Sequence, residues 1–250
     1  MMDYNICISI PVRSKDLGGI RALIDKCIAF NPKFIEFRFD YFESLGALTQ
    51  DFVNNLNKYV KNKTYSIFTF RHSAEGGVSK IDETERLKIL KVLMEAQPDF
   101  FDVEMNSNKE ILSNIITQSN MKKVNLIFSH HNLKTTPTYQ LAKELILRFE
   151  ERIIEEELNE FDILSKSVYK VIFTAQTFEH NLIPLTLCKE FSKGNKKIIS
   201  FCMDDLGLLS RVFCIKLGSF MTYAALEEKT APGQINIEIL QQFYNLLFKI

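Results

Sequence analysis

A lysine inside an apolar run is the residue of this sequence that most clearly suggests covalent chemistry. Lys170 lies in the segment 168–173, whose letters are VYKVIF. A charged amine is costly to bury among such neighbours. Burial and nearby arginines would lower its pKa from the ordinary value of about 10.4 and leave a neutral amine that can attack a ketone. We therefore predict a Schiff-base lysine, and the alternative is a lysine at a strand end that reaches out to water.

Charged residues also follow or interrupt earlier apolar runs. Glu36 and Arg38 lie within residues 34–40 (FIEFRFD), and because they are two residues apart, both side chains leave the same face of a strand. Arg71 ends another apolar run and precedes a loop with two glycines, residues 72–77 (HSAEGG). These three side chains could bind the oxygens of a polar substrate. The alternatives are a local ion pair for the first two and a surface pair for Arg71.

Two carboxylates and two histidines close the next two apolar runs. Asp102 and Glu104 are separated by one residue, but no HxE, HxH or DxD set accompanies them. We therefore expect a hydrogen-bonding or structural role for them rather than a metal site. His130 and His131 are adjacent, so only one of them can point to the inner face of a strand. An imidazole suits proton transfer there because its ordinary pKa, about 6.5, is close to neutral pH.

The elements that would hold these residues alternate along the chain. Short apolar runs are followed by longer amphipathic segments such as 82–95 and 236–248, which is typical of repeated βα units. Eight parallel strands in about 250 residues are the size of a (β/α)8 barrel, in which the carboxyl ends of the strands form the active-site mouth. The predicted strands are Asn5–Ile10, Phe34–Phe39, Tyr65–Phe70, Phe100–Val103, Val124–Ser129, Val168–Thr174, Lys197–Cys202 and, more weakly, Gly218–Thr222.

We accordingly predict an α/β fold of the TIM-barrel type, with residues 1–250 forming a single catalytic domain. A doubly wound open sheet is the main alternative. It is disfavoured because the phosphate-binding patterns GxGxxG and GxxxxGK[ST] are absent from the sequence.

Composition limits the partners and the compartment. Lys plus Arg and Asp plus Glu number 31 each, so no net field favours nucleic acid or an anionic membrane surface. The five cysteines are an odd number without CxxC spacing, which indicates buried, reduced thiols and a cytoplasmic protein. No apolar run approaches the roughly 20 residues of a membrane span.

Taken together, these motifs resemble the type I 3-dehydroquinate dehydratases over nearly the whole chain. No one motif is specific, but their number and order are hard to obtain by chance. The shared pieces are ExRxD at 36–40, FR at 70–71, EGG at 75–77, DVE at 102–104, SHHNLKTTP at 129–137, KVI at 170–172, Met203 to Gly207, SR at 210–211, GS at 218–219 and APGQ at 231–234.

The resemblance implies a lyase of the shikimate pathway, which leads to chorismate and the aromatic amino acids. Lys170 would form the Schiff base, His131 would act as base and then acid, and Glu75 would orient and tune His131. No cofactor and no metal are implied, and a homodimer is expected. The residues expected to bind the small-molecule substrate, 3-dehydroquinate, are Ser9, Glu36, Arg38, Arg71, Met203, Arg211, Thr230 and Gln234.

The chain departs from the family pattern at two of its motifs, and two other functions remain as alternatives. Thr230 stands where the family commonly has Ser, which keeps a hydroxyl, and Leu133 stands where an aromatic residue is usual. Lys166 is a competitor for the Schiff base, but it lies in a polar SKS turn. A class I aldolase would share Lys170, although Gly218-Ser219 is too slight to indicate its phosphate site. A catalytically silent barrel that binds a metabolite is the remaining alternative.

Overall fold

The computed structural model describes residues 4–159 and 162–248. Its centre is a sheet of nine parallel strands, in the order β7-β6-β5-β4-β3-β2-β1-β8-β9. The strands are β1 Ile6–Pro11, β2 Phe34–Arg38, β3 Tyr65–Thr69, β4 Phe100–Glu104, β5 Asn125–His131, β6 Val168–Thr174, β7 Lys197–Met203, β8 Thr222–Ala225 and the two-residue β9 Ile235–Asn236.

The sheet closes into a barrel because β7, at one end of the strand order, meets the segment just before β8 near the other end. β8 pairs with β1, and a parallel bridge joins Ile198 on β7 to Ser219, three residues before β8. The amide of Phe220 donates to the carbonyl of Ile198 at 2.6 Å, which strengthens this closure. The predicted α/β barrel is therefore confirmed.

Helices connect successive strands and pack on the outside of the barrel. They begin where the sequence provides a capping side chain: Asp16, Thr49, Asp82, Asn108 and Thr138 each accept a hydrogen bond from a backbone N–H three residues ahead. The helices are α1 Leu17–Ile28, α2 Gln50–Val60, α3 Glu83–Glu95, α4 Lys109–Lys122, α5 Tyr139–Glu155, α6 Ile163–Lys166, α7 Leu182–Lys193, α8 Leu208–Phe213 and α9 Ile237–Phe248.

Seven of the predicted strands match observed strands to within two residues at either end, but the eighth prediction is wrong. β8 begins at Thr222, where the weak prediction Gly218–Thr222 ended. Gly218 instead has a left-handed backbone, with φ of +95°, and ends the short helical turn Cys214–Leu217. Glycine in that conformation is a helix C-cap, so it stops one element rather than starting the next.

The amino end of the barrel is closed by aromatic rings, which we call the floor cluster: Phe34, Tyr65, Phe100 and Phe220. Ring centres lie 5.5 Å apart for Phe34 and Phe100, 5.7 Å for Phe34 and Phe220, and 6.0 Å for Phe100 and Phe220. Edge-to-face and offset pairs of this kind stabilise a core beyond the area that they bury.

Two further expectations concern the whole chain. All five cysteines are buried and unpaired, as predicted. Among the residues that the structure describes, no helix combines the length and the apolar character that crossing a bilayer requires.

Candidate active site

Lys170 points into the barrel from β6 and is 4% exposed. Its Nζ lies 3.1 Å from Oδ2 of Asp102, 3.4 Å from Oε1 of Glu36 and 4.3 Å from the centre of the Tyr223 ring. The alternative of a lysine that reaches out to water is therefore wrong. Two carboxylates therefore lie beside the amine that would attack a ketone. The predicted competitor, Lys166, is exposed at the end of α6.

A network of buried charges lies next to Lys170. Arg71 contacts Oδ2 of Asp102 at 2.9 Å and donates to Oε1 of Glu104 at 2.8 Å and to Oγ of Ser129 at 2.6 Å. The hydroxyl of Ser129 in turn donates to Asp102 at 2.6 Å. Burial would raise the pKa of Asp102, but Arg71 and Lys170 hold it well below its ordinary value. The surface-pair interpretation of Arg71 is thus wrong, because its side chain is only 3% exposed.

Glu36 is held from three directions. It accepts hydrogen bonds from the hydroxyl of Ser9 at 2.5 Å and from that of Thr69 at 3.0 Å, and it faces Lys170. The hydroxyl of Thr230 donates to Ser9 at 3.0 Å, which extends the chain of hydrogen bonds to the segment that follows β8. These contacts fix the carboxylate beside the amine.

Arg38 does not pair with Glu36, so the alternative of a local ion pair between them is wrong. Its Nε and NH2 groups donate to the two carboxylate oxygens of Asp40 at 2.7 and 2.8 Å. A short helical turn after β2 returns Asp40 towards the arginine, which makes this two-point contact possible. The NH1 group of Arg38 also donates to the carbonyl of Thr230 at 3.3 Å.

Glu75 and His131 form a close pair at the carboxyl ends of β3 and β5. Oε2 of Glu75 accepts the backbone N–H of His131 at 2.9 Å and lies 3.1 Å from its Nδ1. Burial raises the pKa of Glu75 to about 8, although Arg71 opposes the shift. Burial and the charge of Arg71 lower the pKa of His131 well below its ordinary range. The imidazole is therefore neutral near pH 7, as a general base must be.

Arg211, on α8, is the buried arginine without a carboxylate partner among the described residues. Its NH2 group donates to the carbonyl of Pro232 at 3.1 Å, and its guanidinium lies 4.3 Å from the centre of the Phe201 ring. Its Nε has no hydrogen-bond partner in the part of the chain that the structure describes. Burial lowers the pKa of Arg211 to about 10. A guanidinium in this state is suited to bind a carboxylate in two-point geometry.

These groups share one pocket at the barrel mouth, which we call the inner pocket. Its free volume is about 80 Å³. Of the predicted site residues, Ser9 alone lies behind its wall, where it contacts Glu36 and Thr230. The predicted residues that line it are Lys170, His131, Glu75, Glu36, Arg38, Arg71, Met203, Arg211, Thr230 and Gln234.

Comparisons with known proteins identify the family. The family model described as type I 3-dehydroquinase matches residues 6–250. The chain belongs to this family. Curated relatives named 3-dehydroquinate dehydratase include one from Thermococcus gammatolerans, 31% identical over 228 residues, which are 91% of this chain and 93% of the relative. Another, from Thermococcus onnurineus, is 30% identical over 219 residues, covering 88% and 89% of the two chains.

Solved structures agree with this family. A type I 3-dehydroquinate dehydratase from Clostridium difficile, determined with covalently modified comenic acid, is 26% identical and superposes with a TM-score of 0.79 over 98% of this chain and 93% of that chain. The enzyme from Geobacillus kaustophilus has a TM-score of 0.81 at 22% identity, over 99% and 92% of the two chains, which supports the fold.

In this member of the family, two features of the inner pocket were not predicted. Tyr223 on β8 faces Lys170, and within residues 4–159 and 162–248 its buried hydroxyl makes no hydrogen bond. It was missed because the eighth strand was predicted to end one residue earlier. Asp204 has φ of 63° and ψ of 175°, a conformation that is almost confined to glycine, and its backbone lies so close to Gly233 that a Cβ there would be 2.6 Å from its carbonyl oxygen.

Proposed function

We propose that this chain is a type I 3-dehydroquinate dehydratase, a hydro-lyase that converts 3-dehydroquinate to 3-dehydroshikimate through a Schiff base on Lys170. The observation that carries this proposal is the inner pocket itself. It gathers a buried amine, a paired imidazole and a guanidinium without a carboxylate partner among the described residues. The substrate is a ring that carries a ketone, hydroxyls and a carboxylate, so each of these groups has a complementary partner.

Lys170 would attack the ketone through the lone pair of its Nζ. Asp102 and Glu36 lie beside this atom at 3.1 and 3.4 Å. The carbinolamine that forms loses the ketone oxygen as water and becomes an iminium. This iminium withdraws electrons from the adjacent carbon and makes its proton easier to remove. The carboxylates around Lys170 would stabilise the positive charge of that iminium.

His131 would remove this proton and later return a proton to the departing hydroxyl. One imidazole can serve both steps because the base becomes the acid once it has been protonated. Glu75 would stabilise the imidazolium that forms between them, since it lies 3.1 Å from the ring Nδ1.

Arg211 would bind the substrate carboxylate, with Gln234 and Thr230 beside it. In the described structure these two residues bind each other: Nε2 of Gln234 donates to Oγ1 of Thr230 at 3.1 Å, and the backbone amide of Thr230 donates to Oε1 of Gln234 at 2.7 Å.

We propose that residues 230–234 are a lid, which must open to admit a ring because the free volume beneath it is about 80 Å³. Glu36, Arg38, Arg71 and Met203 would line the rest of the bound ring.

We also propose that residues 1–250 form one domain, that the enzyme is cytoplasmic and that it binds neither nucleic acid nor a membrane.

A homodimer is proposed from the family resemblance. The exposed apolar stripe of Ile239, Phe243, Leu246 and Leu247 on α9 is one surface that a second copy could cover. Sedimentation of the purified chain would test the dimer.

The function is tested by incubating the chain with 3-dehydroquinate and following the absorbance of the conjugated product. Borohydride added during turnover should attach the ring to Lys170, which mass spectrometry of the digest would locate. A class I aldolase would give a trapped lysine with its own substrate but no conjugated product from this one. A silent barrel would give neither signal, and either of these results would overturn the proposal.

A further inference from the structure

A second cavity lies outside the inner pocket and shares one wall with it. We call it the outer cavity; its volume is about 630 Å³ and its lining includes His72, Glu75, Asn106 and His130. Glu75 and His131 line both spaces. The carboxyl group of Glu75 therefore separates the proposed reaction site from a space open to solvent.

The two oxygens of Glu75 face different imidazoles. Oε2 accepts the backbone N–H of His131 and lies 3.1 Å from its Nδ1. Oε1 lies 3.8 Å from Nδ1 of His130. The Nδ2 group of Asn106 spans this second gap, since it lies 3.4 Å from Oε1 and 3.2 Å from Nδ1 of His130.

This arrangement places the proton of a neutral Glu75 on its outer oxygen. Oε2 already accepts two N–H groups when Nδ1 of His131 carries a hydrogen, so Oε1 is the oxygen left to be protonated. The nearest imidazole nitrogen to Oε1 is then Nδ1 of His130, 3.8 Å away. If Asn106 donates to Nδ1 of His130, the hydrogen of that ring is on Nε2. The single lone pair of Nδ1 can then accept the proton of Glu75 once the Asn106 amide turns away from it.

Resting on the function proposed above, we propose that His130, positioned by Asn106, carries the proton of Glu75 to solvent in the outer cavity while substrate and lid fill the inner pocket. The proton on Oε1 passes to Nδ1 of His130 as that ring releases its Nε2 proton to water. Glu75 becomes a carboxylate, and the charge is balanced by the proton released. The step requires the 3.8 Å gap to close by about 1 Å, to hydrogen-bond distance.

The ionised carboxylate matters because it stabilises the imidazolium of His131 during proton abstraction. Burial raises the pKa of Glu75 to about 8, so roughly one molecule in ten is ionised at pH 7. The charged and titratable groups that face Glu75 are Arg71, Asp102, Glu104, His130 and His131, and those across the outer cavity are His72, Glu83, Arg86 and Lys134. Without a route to solvent, the complexes that close with a protonated Glu75 would stay unproductive.

The test compares His130→Phe with the unchanged enzyme from pH 6 to pH 10. At pH 7 we expect kcat to fall about tenfold, because the nine complexes in ten that close with a protonated Glu75 must reopen before they react, whereas the relay lets the unchanged enzyme lose that proton while closed. Above pH 9 the two enzymes should agree within about twofold, since Glu75 is then ionised before the substrate binds. A purely structural effect of the substitution would lower kcat by the same factor at every pH.

Chemical rescue gives a second measurement. In His130→Ala, added imidazole should restore kcat at pH 7 with saturating dependence, because the outer cavity has room for the free base. His72→Asn is the matched control: His72 lines the same cavity but bonds Glu83 at 3.0 Å, and Asn retains an acceptor for the amide of Ala74. Its kcat should stay within about twofold and should not respond to imidazole.

Two outcomes would overturn the relay: a His130→Phe enzyme within twofold of the unchanged one at pH 7, or a deficit that neither high pH nor imidazole relieves. Borohydride trapping on Lys170 separates this failure from that of the proposed function. If the unchanged enzyme is trapped and forms product while the His130 variants behave normally, the relay alone is wrong. If the unchanged enzyme is not trapped, the Schiff-base function is wrong as well.

Discussion

The two ends of the barrel are built from the same strands but differ completely in chemistry. β2 contributes Phe34 to the floor cluster and, two residues later, Glu36 to the inner pocket; β4 contributes Phe100 and then Asp102 in the same way. Residues two apart share a face of a strand, so each inward face changes from aromatic to charged within one step. The reactive groups of the inner pocket therefore begin two residues above the floor cluster on each of these strands.

The two ends of the barrel also contribute to the stability of the fold in different ways. Rings in the floor cluster stabilise the fold through packing, which is insensitive to the exact partner. The charges at the mouth depend on one another, because removing one partner leaves another buried charge unpaired, at a cost of about 3–5 kcal/mol. Substitutions at the mouth should therefore lower both activity and stability, whereas substitutions at the floor should lower stability with little effect on activity.

The largest effect on activity is expected from Lys170→Met. The variant keeps the volume of the side chain but cannot form an imine, so both product formation and borohydride trapping should be lost. Lys166→Met is the matched control and should retain both, because that residue is exposed outside the barrel. A Lys170→Met chain that still traps the substrate would show that another amine forms the Schiff base.

The next largest effect is expected from His131→Ala. Imine formation on Lys170 should persist, whereas turnover should fall by a factor on the order of 10² or more, because the proton of the adjacent carbon has lost its base. Trapping with borohydride and the absorbance of the product measure the two steps separately. Near-normal turnover would show that His131 is not the base. It would also show that a residue at the mouth can be replaced, like one at the floor, without loss of activity.

The mouth also shows how far a sequence can predict such a site. The inward positions of Glu36, Asp102 and Lys170 follow from strand periodicity, which is local and legible in the sequence. Their mutual contacts do not, because they depend on the parallel register that brings β2, β4 and β6 to one level of a closed barrel. The sequence therefore predicted a buried amine and did not predict that two carboxylates hold it.

Short-range backbone geometry limited the prediction elsewhere. The alternative that Arg38 pairs with Glu36 rested on their shared strand face, but the turn after β2 brings Asp40 into two-point contact with Arg38. Likewise, the left-handed conformation of Gly218 moves β8 along the chain and brings Tyr223 to the pocket. In both places a turn of a few residues overrides the pattern of the strand beside it.

A smaller effect on activity is expected from Arg211→Ala. Loss of the carboxylate partner should weaken substrate binding by about 2 kcal/mol or more, roughly thirtyfold in apparent affinity. The affinity of a ring analogue that lacks the carboxylate should hardly change, which serves as the control. If both ligands lose affinity equally, the arginine acts on the shape of the pocket and does not recognise the carboxylate.

The smallest effect on activity is expected at the floor, from Phe34→Ala. Removing a buried ring should lower the free energy of unfolding by about 3–5 kcal/mol, measured as a shift of the urea midpoint, whereas Phe178→Ala, at a side chain that is 58% exposed, should change it by less than about 0.5 kcal/mol. The kcat of folded Phe34→Ala should remain within about threefold. Glu36, two residues later, is held by Ser9, Thr69 and Lys170 rather than by the ring, so a large loss of activity would show that the floor positions the site after all.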